Sequence, residues 1–274
     1  KTYMVEQLCK ILKLDYILID CASLTAAGYI GANIDEEIGR LYDVCEGNED
    51  RINNAVVILD EIGKLRSSDN AGSSKVDVGG SACVKSLLKI LEGSQVKVGS
   101  GFSKRYIDTT NILFIGTDTF MMEGGTNGTI EDIVRERIDK KGSNRAIGFF
   151  GETQFKAEEV HDRNEIRKNI TLDDIIKFGF SVELVSRFAS VINLDILDKE
   201  DYVKIAKLEK NGFAEYETLF DLYGKRLIVR EDIYEALADY MMKCETNARS
   251  LKGIVDRVMT HLVYTMMDDS RRKK

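Results

Sequence analysis

The apolar run Ala55, Val56, Val57, Ile58, Leu59 stops on two adjacent carboxylates, Asp60 and Glu61. Five apolar residues without alternation read as a strand covered on both faces, the pattern of a parallel sheet packed between helices. A covered strand can end in Asp-Glu only where those charges find partners, because an isolated carboxylate in an apolar setting is strongly disfavoured. Two readings suit such an end. The acids hold a metal ion or a polarised water, or they are loop residues that cap the helix that follows.

The rest of the chain narrows the frame. Its 274 residues allow one large core, or a large domain with a smaller one attached. No apolar run approaches the roughly 20 residues that cross a bilayer, so the expectation is a cytoplasmic protein that engages no membrane. The cysteines Cys9, Cys21, Cys45, Cys83 and Cys244 are scattered and odd in number, which argues against a disulfide framework or a zinc site and makes them small core residues. His161 and His261 are the only histidines, far apart in sequence and poorly placed for a shared metal or a triad. A net charge of −7 gives no general reason to bind nucleic acid, and the basic end Arg271, Arg272, Lys273, Lys274 reads as a solvated tail. Proline is absent, where average usage of about 5% would give roughly a dozen.

Along the chain, residues 1–14 place Met4, Val5, Leu8, Ile11 and Leu12 on one helical face, followed by a short strand at Tyr16, Ile17, Leu18, Ile19. A helix is expected near residues 34–44. The stretch 65–80, rich in Ser, Gly, Asp and Asn, reads as a long mobile loop. Val84, Leu87, Leu88 and Leu91 mark a helix that Gly93 stops, and Ile112, Leu113, Phe114, Ile115 form another covered strand. Residues 126–167 read as a charged surface insertion. After a strand-like Val191, Ile192, Asn193, Leu194, the texture changes to helices broken by one apolar run, Leu227, Ile228, Val229. The sequence therefore predicts an α/β domain, residues 1–195, with a parallel sheet flanked by helices, and a smaller, mainly helical α+β domain, residues 196–274.

Several short motifs fall in a telling order: Lys1-Thr2 opening a helix, Gly28-Tyr29-Ile30-Gly31, the Asp60-Glu61 strand, Lys177-Phe178-Gly179 before Glu183-Leu184-Val185-Ser186-Arg187, and Ala248-Arg249. In this order the chain resembles the AAA+ core of ClpX-type protein unfoldases, the Clp/HslU ATPases, over essentially its whole length. The resemblance implies a P-loop NTPase fold that uses ATP and Mg²⁺. Lys1 would reach the outer phosphates and Thr2 would ligate Mg²⁺. Asp60 would support Mg²⁺, Glu61 would orient the attacking water, and Thr117 would lie between nucleotide and water. Arg187 matches an arginine finger that acts on the neighbouring subunit, and Arg249 matches a second arginine that senses the phosphate within its own subunit. Val182 and Ala189 stand where relatives often carry proline around that finger.

The family's phosphate loop ends in Gly-Lys-Thr, of which only Lys-Thr is present here. The expectation is a chain cut within that motif and drawn from a longer protein, so that 1–274 alone hydrolyses ATP poorly or not at all. By the same resemblance, Tyr29 and Ile30 would form a pore loop that grips an extended polypeptide in a homo-hexamer. The segment 65–80 corresponds to a second pore loop, and a third has only a shortened counterpart around Ser103, Lys104, Arg105. Ile147, Gly148 and Phe149 match the tripeptide that docks on a ClpP-type peptidase. The implied substrates are unfolded or tagged proteins, not nucleic acid. Two alternatives stand beside this one: an AAA+ motor on DNA, such as a helicase or clamp loader, and a truncated pseudo-ATPase that binds partners without turnover.

Overall fold

The computed structural model describes residues 1–24, 33–66, 78–98, 105–120, 128–142, 158–208, 212–243 and 250–272. The chain divides into two compact units, Lys1–Leu194 and Asp195–Lys274.

In the first unit, β1 (Tyr16–Asp20), β2 (Val56–Asp60) and the later strand Leu113–Thr117 form a parallel sheet with β2 in the middle. The alternation of the strands sorts the packing. Val56 and Ile58 face Val5 and Cys9 of α1 (Thr2–Leu12) together with Tyr16, Leu18 and Ile115. Ile17, Ile19, Val57 and Leu59 face the main core, which takes Ile34, Ile38 and Leu41 from α2 (Ile34–Val44). That core also takes Ile52 from the short α3 (Glu49–Asn53) and Cys83, Leu87 and Ile90 from α4 (Val78–Leu91). Helices thus cover both faces, as an uninterrupted apolar strand requires. Arg51 of α3 grips Asp15 just before β1 with two bonds of 2.7 and 2.8 Å and donates to the Val44 carbonyl at 3.1 Å, fixing how α2 returns to the sheet. The same guanidinium holds the Asp15 carboxyl below its ordinary range.

After α4 the chain reverses at Gly93, whose φ of +88° is the left-handed conformation of a helix C-terminus. A side chain there would also press on Thr110, 3.2 Å from its Cα. The hairpin of β3 (Gln95–Val98) and β4 (Arg105–Asp108) follows, with Val96, Val98 and Ile107 turned into the core, and leads into β5 (Leu113–Thr117).

The region expected to be an irregular insertion holds two helices, α5 (Ile130–Gly142) and α6 (Glu158–Lys168). α5 buries Ile130 and Val134, while α6 has no apolar stripe of its own and is held to α5 by ion pairs. Arg163 and Arg167 of α6 donate to Glu131 of α5 at 2.8 and 2.6 Å. Arg137 of α5 makes two bonds, 2.8 and 2.9 Å, to Asp174 of α7 (Leu172–Lys177). Asp174 also accepts from the Thr171 amide and hydroxyl at the start of that helix. Burial opposes the ionisation of Glu131 and Asp174, yet the guanidiniums outweigh it and hold both carboxyls below their ordinary values. The unit ends with α8 (Val182–Val185) and an extended segment. Val191 to Leu194, expected as a strand, pairs with none of the described strands, and Ile192 lies 83% exposed.

A second correction concerns α1. Its expected apolar face was Met4, Val5, Leu8, Ile11 and Leu12, but the helix packs through Val5 and Cys9, leaving Met4, Leu8, Ile11 and Leu12 exposed. Val5 and Cys9 are one turn apart, so the contact with the sheet follows an i, i+4 line that the stripe overlaps only at Val5.

The second unit consists, in its described residues, of α9 (Lys199–Ala206), α10 (Phe213–Leu222), α11 (Glu231–Lys243) and α12 (Leu251–Arg272). Ala206, Phe213, Leu237, Met241, Leu251, Val255 and Met259 form its core, and Tyr216 donates to Asp256 at 3.0 Å. The apolar run 227–229 is not a strand, so no β element is found among the described residues of this unit. Leu227 and Val229 pack against the helical core instead, while Ile228 is 72% exposed.

Candidate functional site

The parallel register sets Asp20 beside Asp60 and Asp60 beside Thr117, so the three strands finish level at their carboxyl ends. That edge is where open α/β sheets present groups to ligands. Asp60 is the centre of what gathers there. Its Oδ1 accepts from the Thr2 hydroxyl at 2.9 Å, the Thr117 hydroxyl at 2.6 Å and the Glu61 amide at 3.1 Å. Thr2 and Thr117 are buried. Lys1 reaches past them to donate its Nζ to the Asp118 carbonyl, one residue beyond Thr117. Five of the residues singled out in the sequence, Lys1, Thr2, Asp60, Glu61 and Thr117, therefore meet where α1 begins and β2 and β5 end.

Glu61 differs from its neighbours. It has φ 54° and ψ 41°, the left-handed region that a residue with a Cβ seldom occupies. Its carboxylate is exposed and makes no hydrogen bond or ion pair with any described residue. The turn that follows, Ile62–Leu65, begins with the Lys64 amide bonded to the Glu61 carbonyl at 2.9 Å. This bond holds the unusual backbone without engaging the acid.

With that geometry in place, the comparisons with known proteins are decisive. The family described as AAA domain (Cdc48 subfamily) matches residues 1–191. The chain belongs to this AAA ATPase family. It is also 29% identical over 273 residues to the ATP-dependent Clp protease ATP-binding subunit ClpX of Azotobacter vinelandii, covering 97% of this chain and 59% of that protein. The chain thus spans about three fifths of the relative's length.

In an AAA domain a Mg²⁺ ion would accompany the nucleotide, and the donor set here can be tested against it. Mg²⁺ takes oxygen ligands, commonly one or two from protein with water and phosphate completing the shell. Thr2 gives its hydroxyl proton to Asp60, which leaves the Thr2 oxygen lone pairs as acceptors beside a carboxylate. Two hard oxygen donors from different elements within hydrogen-bonding distance fit that ion. Among the described residues, no three His, Cys, Asp or Glu side chains gather into an all-protein metal cage.

The other predicted residues are distributed differently. Arg187 is joined by an ion pair to Glu92, at the end of α4, and makes no side-chain bond to the groups around Asp60. Val182 opens α8, where Ser181 accepts from the Leu184 amide at 3.3 Å, so a side-chain cap rather than proline shapes the backbone before this arginine. Tyr29, Ile30, Ile147, Gly148, Phe149 and Arg249 lie outside the described residues, as do most of 65–80 and Ser103 and Lys104. The sequence reading missed Asp118. Its position directly after Thr117 was the available signal, since a residue that follows the end of an inner parallel strand lies on the ligand edge. Among the described residues, no helix is long and apolar enough to cross a membrane.

Proposed function

We propose that the chain is the motor core of a ClpX-type protein unfoldase that hydrolyses ATP at subunit interfaces of a homo-hexamer in the cytoplasm. The observation that carries the reading is the convergence of Lys1, Thr2 and Thr117 on the Asp60 strand end. The likeness to ClpX along nearly all of this chain supports the unfoldase branch of the family.

Each group has work suited to its chemistry. The Lys1 ammonium supplies positive charge and donors to the outer phosphates. Thr2 and Asp60 hold Mg²⁺, which when bound neutralises phosphate charge and orients the transferred group. The open Glu61 carboxylate has its acceptor capacity available for a water aimed at that group. Thr117 gives its proton to Asp60, so its oxygen can accept from the same water.

Arg187 reaches the nucleotide of the adjacent subunit and stabilises the transferring phosphoryl charge. Leaving Glu92 costs little, because a half-exposed ion pair is worth about 0 to 1 kcal/mol. In the same reading, Arg249 senses the phosphate from the smaller domain, Tyr29 and Ile30 grip an unfolded or tagged protein, and Ile147, Gly148 and Phe149 dock on a ClpP-type peptidase.

The test is degradation of a tagged, folded protein by the full-length protein with a ClpP-type peptidase, with ATP hydrolysis followed in parallel. Wild type degrades and hydrolyses, Glu61→Gln does neither, and Tyr29→Ala hydrolyses without unfolding. Nucleotide binding without turnover in wild type would turn the conclusion toward a pseudo-ATPase. Hydrolysis stimulated by DNA instead of protein would turn it toward a nucleic-acid motor.

A further inference from the structure

Two residues beside the Asp60 cluster carry none of these roles. Gly63 is buried in the turn Ile62–Leu65 that follows β2, and Asp118 follows Thr117 at the end of β5. A methyl group built on Gly63 would stand 2.8 Å from Asp118 Cγ and closer still to its Oδ2. The Asp118 carboxylate therefore fills the space that any other residue at 63 would need. Gly63 does not have a positive φ, so space, not backbone freedom, is what requires glycine there. On its other side, Asp118 Oδ1 accepts from the Thr119 amide at 2.6 Å.

What the seated residue holds gives the contact its interest. The Asp118 carbonyl receives Lys1 Nζ, and the Asp118 amide is in the peptide that leaves Thr117, whose hydroxyl bonds Asp60. β5 is tied to β2 up to the Asp60–Thr117 pair, so a push on the carboxylate is concentrated in the 118–119 segment just past that pair. The acceptor for Lys1 lies in that segment.

We propose that Asp118 is a positioning residue for Lys1 and Thr117, and that Gly63 is the seat that fixes its carboxylate. What Lys1 and Thr117 then do to a nucleotide rests on the ATPase reading above. The seat itself is measurable without nucleotide.

The experiment compares the full-length protein with Gly63→Ala, Asp118→Ala, Asp118→Asn and Gly63→Ala/Asp118→Ala variants. Trace acetylation with an N-hydroxysuccinimide ester, read by mass spectrometry, reports the reactivity of the Lys1 side-chain amine. ATP hydrolysis gives kcat and KM. Gly63→Ala and Asp118→Ala are each expected to raise Lys1 labelling several-fold and to lower kcat/KM by about tenfold, since small displacements at a reacting centre have large rate effects.

In the double variant the new methyl meets no carboxylate, so its two changes combine non-additively and it resembles Asp118→Ala alone. Asp118→Asn keeps the shape and stays near wild type in labelling, which supplies a readout even where Gly63→Ala does not fold. Unchanged Lys1 labelling in Asp118→Ala, or two independent and multiplying effects in the double variant, would overturn the proposal. Shifted labelling with no hydrolysis in any protein, wild type included, would uphold the seat and remove the ATPase reading instead.

Discussion

Glu61 and Asp174 lie in the same unit and are held in opposite ways. Asp174 is fully buried, and its oxygens take two bonds from Arg137 and two from Thr171. Glu61 is exposed, has no side-chain partner among the described residues, and follows β2 on a left-handed backbone. A buried acid with both oxygens bonded and paired with a guanidinium fixes the junction of α5 with α7 and is closed to a substrate. An acid kept open on strained backbone contributes little to folding but retains its acceptors. The contrast separates carboxylates that build the molecule from one suited to act on something brought to it.

The largest effect that tests this contrast is on turnover. Glu61→Gln removes the base while keeping the shape, and should lower kcat for ATP by about 100-fold or more with nucleotide affinity retained. Steady-state hydrolysis beside binding of a fluorescent ADP would show the split. Arg137→Ala is the structural counterpart. It leaves Asp174 buried without its guanidinium and should cost about 3 kcal/mol in urea unfolding, with Arg137→Met/Asp174→Asn costing clearly less.

Acidity provides a third, smaller test. Glu131 and Asp174 have folded-state pKa values below their ordinary 4.5 and 3.8. Their unfolded forms therefore bind protons first as the pH falls. The stabilisation they give is complete above those ordinary values and is lost as the pH drops through the lowered ones. Thermal melts should decline from near pH 4.5 downward, and less steeply in Arg137→Met/Asp174→Asn. The smallest expected effect is at the open acid itself. Glu61→Gly relieves the left-handed strain and should raise stability by about 1 kcal/mol while abolishing hydrolysis, because glycine occupies that conformation freely. A loss of stability in that variant would show that the Glu61 side chain supports the fold after all.

How much of this was legible in the sequence follows from what holds each part together. β1, β2, α2 and α4 carry long apolar patterns, and hydrophobic burial is what places them, so their residues announce them. Asp60 stood out in the sequence because it closes an apolar strand, whereas Thr2 and Thr117 were named through the family resemblance; the structure sets their hydroxyls on Asp60.

The parts that were misread depend on other forces. α6 is held to α5 through Glu131, Arg163 and Arg167, and ion pairs between segments distant in sequence leave no periodic mark, while in α5 the short stripe Ile130, Ile133, Val134 is set among charged residues. The β3–β4 hairpin buries only Val96, Val98 and Ile107, too few to rise above its polar alternation. Val191 to Leu194 has strand-like composition but pairs with none of the described strands, and pairing is what makes a strand. Gly63 was invisible because its importance lies in a carboxylate 55 positions further along the chain, Asp118, that only folding brings near.

The buried thiols have a consequence of their own. Cys9, Cys21, Cys45 and Cys83 are enclosed within the first unit, and burial pushes all four thiols up, Cys21 to about 12 and Cys45 to about 11. An alkylating reagent at neutral pH meets almost no thiolate there until the sheet parts from its helices. The molecule thus carries its own built-in clock for opening, read by mass as each sulfur is capped.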